Sequence, residues 1–308
     1  MEQSEGNALS MLTIAYFTDN AIVYGFVATQ HRDTYPAIDP LKSDLSGKNV
    51  LITGGSRGLG REMALSYAKA GASAIAILDI LDSIQVNKDI LEAANTAGRP
   101  KPNVVCLKVD ITDLSSVETA AQIIKSEFGT LDILINNAGY CSAYVSVTES
   151  EPDKWWRNFD VNVKGVYLIV RSFMPLVLES QDKTMVVMSS IGAHHVVAGG
   201  SGYEATKLTV LKFNEYLMAE YGSQGLLVYG IAPGGVLTAM STGVFPSHLH
   251  HLLGDKPRLV ADTLTFLTKE RREWLASRYV DSKWDMEEFL AKKEAIIKDD
   301  LLKVRLRV

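Results

Sequence analysis

Cysteine is scarce in this chain. Cys106 and Cys141 are the only two in 308 residues, which excludes a disulfide framework and fits a reducing compartment. A cationic excess is missing too. Lys and Arg number 31 against 36 Asp and Glu, a net charge of −5, so neither nucleic acid nor an anionic membrane is an expected partner. The best apolar stretch, Met11 to Thr29, is broken by Asp19 and Asn20, and no membrane span is expected. No Lys or Arg precedes Arg32, so a secretory signal would lack its basic start. A cytoplasmic protein is expected. No Cys or carboxylate framework accompanies His248, His250 and His251, so no metal is expected. Internal repeats and low-complexity tracts are also lacking.

What remains is an ordinary globular balance, 47% hydrophobic and 22% charged. Residues 1–45 show no period and end in DTYPAIDP, where Pro36 and Pro40 stiffen the chain. They are expected to form an N-terminal extension lying on the domain surface. From Ser46 the runs NVLIT, AIAIL, NVVCLKV, LDILI, TMVVMS and LLVYGI alternate with segments of helical length. Runs this apolar suit strands buried on both faces of a parallel sheet. The expectation is a single α/β domain over 46–308, a doubly wound parallel sheet of the Rossmann kind. Seven strands are predicted, in order 3-2-1-4-5-6-7. The stretch of about 240–257, with its glycines, proline and histidines, predicts a mobile substrate loop, and a helical tail closes the chain.

The first strand runs into TGGSRGLG, Thr53 to Gly60, and then into a helix. That context suits a dinucleotide pyrophosphate held on the backbone of Gly54, Ser56, Arg57, Gly58, Leu59 and Gly60 at a helix start. Asp79 ends the second strand, where an acid bonds ribose hydroxyls and repels a 2′-phosphate. NAD is therefore favoured over NADP, with Arg57 pulling the other way. Tyr203 and Lys207 share a helix face one turn apart. An ammonium about 4 Å from a phenol, at an effective dielectric near 20, is worth roughly 4 kcal/mol to the phenolate. Tyr203 can then exchange a proton with an alcohol or ketone, and Ser190 can hydrogen-bond the reacting oxygen.

The glycine loop, the NNAG of Asn136 to Gly139, Asn162, Ser190 and the YEATK of Tyr203 to Lys207 together resemble the single-domain short-chain dehydrogenases/reductases. The resemblance is strong over about 46–245. The DTYPAID and WDMEEFLAKKE segments look similar to fungal members, often found in secondary metabolism. The resemblance implies a catalytic set of Asn162, Ser190, Tyr203 and Lys207. It implies that Asp110 and Ile111 hold the adenine and that Asn137, Ala138 and Gly139 support the cofactor cleft. Tyr203 and Lys207 also meet the cofactor, and Pro233, Gly234, Val236 and Thr238 face the nicotinamide. It implies a homodimer or homotetramer through the helices carrying Asn162 and Tyr203. Few charges in the pocket loops point to a hydrophobic small-molecule alcohol or ketone. The alternative is a cofactor-binding protein of the same fold with a non-redox role, as isomerase, dehydratase or regulator. His194 or His195, Tyr140 and Cys141 are further candidates for the pocket, while Trp155 and Trp156 suit packing.

Overall fold

The computed structural model describes residues 25–245 and 247–306. The first 24 residues of the expected extension, and most of the Met11 to Thr29 stretch, lie outside them.

Strands and helices alternate. β1 (Asn49–Thr53), β2 (Ala74–Asp79), β3 (Asn103–Lys108), β4 (Ile133–Asn136), β5 (Thr184–Met188), β6 (Leu227–Ala232) and β7 (Tyr279–Asp281) form one sheet. Its order is β3-β2-β1-β4-β5-β6-β7, with every pairing parallel. The six apolar runs account for β1 to β6. Only three residues make up β7, too few for a pattern to emerge. The crossovers are α1 (Gly58–Lys69), α2 (Ile84–Thr96), α3 (Leu114–Phe128), α4 (Pro152–Phe159), α5 (Val166–Leu178), α6 (Ser201–Tyr221), α7 (Ala239–Val244) and α8 (Pro257–Thr268). The short helices α9 (Met286–Ala291) and α10 (Lys293–Lys298) follow β7.

Each sheet face has its own core. Val50, Ile52, Ile75 and Ile77 point to one side with α1 and α8, and Leu51, Ala76, Leu78 and Leu134 to the other with α3 and α5. Alternation along each strand divides one apolar run between two cores. Helices α1 and α8 are also joined by buried hydroxyls. Ser66 donates to Asp262 at 2.6 Å, and Tyr67 meets Thr268 at 2.9 Å.

Helices α4 and α5 are continuous through a π turn at Asp160–Gly165. Together they span 27 residues, long and apolar enough to cross a membrane by length and composition. No such span was expected. Its α5 part buries Leu168, Ile169, Phe173 and Val177 against the sheet, as a core helix does.

Residues 25–45 do not simply rest on the surface. Val27, Ile38 and Leu45 are buried, and the Leu45 N–H donates to Ala70 O at 2.9 Å. Phe26 lies 5.0 Å from the ring of Trp284, a fully buried residue next to α9. The prolines stiffen this segment, but its aliphatic side chains complete the core beside α1 and the C-terminal helices.

Candidate active site

The carboxyl ends of the strands open into a cleft of about 330 Å³. Its floor is the glycine loop. Gly54 has φ +67°, and a Cβ there would sit 2.8 Å from Ala138 Cα. A Cβ on Gly60 would collide with the Gly54 carbonyl and come within 2.7 Å of Asn137 Nδ2. That amide donates to Thr53 O at 2.9 Å and Gly54 O at 3.1 Å, while Thr53 Oγ1 accepts from the N–H groups of Asn137 and Ala138, both at 3.0 Å. The NNAG turn and the glycine loop are thus sewn together. Helix α1 starts at Gly58 with no side-chain cap and no acid in its first turn. Its free N–H groups and positive dipole end suit an anion.

Most of the expected cofactor residues border this cleft: Gly54, Arg57, Gly58, Leu59, Asp79, Asp110, Ile111, Asn137, Ala138, Gly139, Tyr203, Lys207, Pro233 and Thr238. Ser56, Gly60, Gly234, Val236, Asn162 and Ser190 do not border it. Ser56 is spent on Asp79, donating from its hydroxyl at 2.6 Å and from its N–H at 3.0 Å. Asp79 is 8% exposed and also accepts from the Leu81 N–H at 3.0 Å. Gly234 takes φ +79° beside Asp255, which accepts from the Gly235 N–H at 2.8 Å. Val236 makes isolated bridges to Gly254 and Asp255.

Ser190 Oγ accepts from the Gly192 N–H at 3.1 Å and keeps its own hydrogen to donate. Its neighbour Ser189 borders the cleft instead, with its hydroxyl on Lys207 O at 3.1 Å. Asn162 lies on the π turn, a feature that recurs at functional sites. Its Oδ1 accepts from the Tyr140 N–H, and its Nδ2 donates to Tyr140 O, each at 2.8 Å. It also donates to Thr206 Oγ1 at 3.0 Å. Both ends of that amide hold the chain just past NNAG.

Lys207 is 6% exposed. Its Nζ donates to Met188 O at 2.9 Å and lies 5.5 Å from the centre of the Tyr203 ring. Burial pulls the ammonium down to about 8. Nearby, burial pushes the Cys141 thiol up to about 12, against the opposing pull of Lys207. Asp110 accepts from Thr112 N–H at 2.9 Å and Thr112 Oγ1 at 2.7 Å. The backbone bond leads in holding its carboxyl below the usual range, with Arg157 and Lys164 adding to it.

Several residues of the cleft carry no signal in the sequence. Ile80 and Leu81 are exposed apolar side chains just after Asp79, and both line it. Arg157, Thr112 and Met240 line it as well, from α4, the turn after β3 and α7. Their positions depend on how elements far apart in sequence meet. His194 packs edge-on to Tyr279 at 4.6 Å, and neither it nor His195 borders the cleft. The expected loop of 240–257 is partly folded, as the end of α7 and a 3-10 turn over Ser247–Leu252. Among the described residues, no three His, Cys, Asp or Glu side chains gather as a metal would require.

A parallel seven-stranded sheet, a glycine turn at the start of α1 and a buried lysine beside a half-buried tyrosine define a nucleotide-dependent oxidoreductase fold. The model of the short chain dehydrogenase family matches residues 48–248. The short chain dehydrogenase pigC of Monascus ruber is 44% identical over 284 residues, covering 92% of this chain and 94% of its own. The short chain dehydrogenase andI of Emericella variicolor is 37% identical over 283 residues, covering 92% and 97%. A short chain dehydrogenase from Shigella flexneri complexed with NADP superposes with a TM-score of 0.69 at 26% identity, over 79% of this chain and 100% of its own. Carveol dehydrogenase from Mycobacterium avium in complex with NAD shares the fold, with a TM-score of 0.68 at 20% identity over 78% and 97%. The chain belongs to the short-chain dehydrogenase family and is an oxidoreductase.

Proposed function

We propose that the protein moves a hydride between a nicotinamide dinucleotide, NAD in preference to NADP, and an uncharged hydrophobic secondary alcohol or ketone. One arrangement carries the proposal: the buried Lys207 beside Tyr203, in the same cleft as the uncapped start of α1. The glycine loop, from Gly54 through Ser56 to Gly60, would hold the pyrophosphate. Asp110 and Ile111 would hold the adenine. Asn137 to Gly139 would support the centre, and Pro233, Gly234, Val236 and Thr238 the nicotinamide end. When bound, the nicotinamide supplies or accepts the hydride.

The rest falls to the protein. The Tyr203 hydroxyl gives a proton to a carbonyl oxygen or takes one from an alcohol. The Lys207 ammonium favours the phenolate through its field. Ser190 donates its hydroxyl hydrogen to the reacting oxygen while Gly192 fixes its angle. Asn162 holds Tyr140 and so the entrance to this corner.

Asp79 supports NAD, since its carboxylate would face a 2′-phosphate with like charge. Arg57 opposes it: its side chain lines the cleft and has no ion-pair or hydrogen-bond partner among the described residues. Titrating the protein with NADH and NADPH decides the matter, and tighter NADPH overturns the preference. Following reduced-nicotinamide absorbance with a panel of uncharged ketones tests the activity. No turnover of any, with the cofactor bound, would favour a non-redox role.

A homodimer or homotetramer in the cytoplasm completes the proposal, with a place in fungal secondary metabolism. The helices carrying Asn162 and Tyr203 expose Trp156, Tyr167, Leu208 and Tyr216, apolar area that suits an interface. Light scattering at the mass of a single chain would exclude the oligomer.

A further inference from the structure

Glu204 has no part in the chemistry above, yet it is 7% exposed and sits beside Tyr203 on α6. Consecutive helix residues diverge by about 100°, so Glu204 faces a different flank from Tyr203. There the chain between Ser190 and Ser201 loops over it. Glu204 Oε2 accepts from the Val197 N–H at 3.2 Å, and Oε1 accepts from the Tyr144 hydroxyl at 3.4 Å. Two glycines close around the carboxyl. A Cβ on Gly200 would lie 2.6 Å from Glu204 Cδ and 2.8 Å from Tyr144 Cε1. One on Gly192 would lie 3.0 Å from Glu204 Cγ. Tyr144 in turn meets Phe245 with ring centres 5.7 Å apart, and Phe245 directly follows α7, whose Met240 borders the cleft. One carboxyl therefore gathers the loop after β5, the segment after β4 and, through Tyr144, the end of α7.

We propose that Glu204 is a positioning residue that fastens the 191–200 loop and Tyr144 against α6, and so sets the wall against which the substrate of Tyr203 is seated. The substrate part rests on the oxidoreductase function proposed above. The fastening part does not.

A pH dependence follows. Tyr144 and Cys141 from the segment after β4 face the carboxyl; Lys207 lies further along its own helix, and His194 and His195 lie on the loop, with His194 packed on Tyr279. Burial raises Glu204 from 4.5 to about 7, opposed by its bonds to Val197 and Tyr144. The docked carboxyl thus keeps a proton that the hydrated, undocked one releases. Docking is strongest in acid and weakens as the pH climbs from 4.5 through about 7. Linkage makes the loss about tenfold between pH 6 and pH 8.

Hydrogen exchange of the full chain with NADH bound reads this directly, with β5 amides as the internal reference. Corrected for intrinsic rates, protection of the Val197 amide should fall about tenfold from pH 6 to pH 8 in the wild type. Glu204→Gln, which keeps the shape and an acceptor oxygen for the Val197 N–H while its amide N–H can donate to the Tyr144 oxygen, should hold its protection at both values. Glu204→Ala should lose it at both, and Tyr144→Phe should lose part of it, with NADH binding intact throughout. Wild-type protection that ignores pH overturns the proposal. So does a Gln variant that follows the wild-type fall, which would assign the effect to the histidines.

For the substrate part the probes are cyclohexanone, 2-heptanone and acetophenone. Glu204→Ala should raise KM at least about tenfold while kcat stays within about threefold, and Gln should restore KM. An unchanged KM overturns the placement of the wall. If the wild type reduces none of them, the oxidoreductase proposal fails, and the exchange experiment still decides the fastening.

Discussion

The two halves of the cleft are built from different materials. Between the turns after β1 and β4, backbone meets backbone: Gly54 against Ala138, Gly60 against Gly54, and both turns tied through Thr53 and Asn137. Hardly any side chain can be added there without a collision. On the β5–β6 side the joints are made of side chains: Glu204, Tyr144 and Phe245 link loops behind the cleft to the end of α7, whose Met240 borders it. A half made of backbone admits one shape of ligand. A half made of side chains can be refitted to another substrate without disturbing the sheet.

Three substitutions test that division, and a fourth tests the packing beneath it. The largest effect is expected from Tyr203→Phe, which removes only a hydroxyl. Turnover should fall by about 10²- to 10⁴-fold, while NADH affinity from a fluorescence titration stays unchanged. Near-normal turnover would remove the proton relay from the mechanism.

Trp284→Ala comes next and attacks neither half. Trp284 is fully buried against Phe26, Phe289 and Tyr279, so truncation should cost about 3–5 kcal/mol in urea unfolding. A loss below about 1 kcal/mol would mean that residues 25–45 and the C-terminal helices are not held through this ring.

Lys207→Met should lose activity and gain stability. Burial lowers the folded pKa from 10.5 to about 8, so the unfolded chain binds the extra proton between those values. Wild-type stability should therefore rise with pH from about 8 to 10.5, by on the order of 3 kcal/mol at most. The methionine variant should lack that rise. Its gain at neutral pH should be smaller than this figure, because the Met188 carbonyl loses its donor. Denaturation across that range shows whether the slope disappears.

Asp79→Ala is the smallest change. It should weaken NADH and strengthen NADPH, moving their affinity ratio by about tenfold, which is 1.4 kcal/mol. Paired titrations read the ratio, and one that does not move would shift the discrimination to Arg57.

Six strands were legible as aliphatic runs: β1, β2, β4, β5 and β6 are buried on both faces, and the edge strand β3 keeps the same kind of run although it is only half-buried. The glycine loop was legible for a related reason: where backbone approaches backbone, only glycine serves, and the residue type records the geometry. Three-residue β7 left no such trace, and neither did the buried lining of residues 25–45, where Ile38 and Leu45 stand singly, without an apolar period around them. In the site, residue types with unusual chemistry stood out. Ile80, Leu81 and Arg157 did not, since their types are common and only the fold turns them inward. Glu204 was hidden most completely. A glutamate within YEATK looks like a solvated helix charge, and nothing nearby in sequence announces the loop that covers it.

The π turn at Asp160–Gly165 makes the helix from Pro152 to Leu178 a beam of two phases. The rear length keeps one stripe against the core, while the widened turn lets the front length rotate separately toward the cleft. Asn162 stands at that change of phase. Shortening the turn by one residue would rotate the front by about 100° relative to the rear and pull its amide off Tyr140. The joint thus lets one continuous rod serve two clients, the sheet behind and the reacting corner in front, each with its own angular setting.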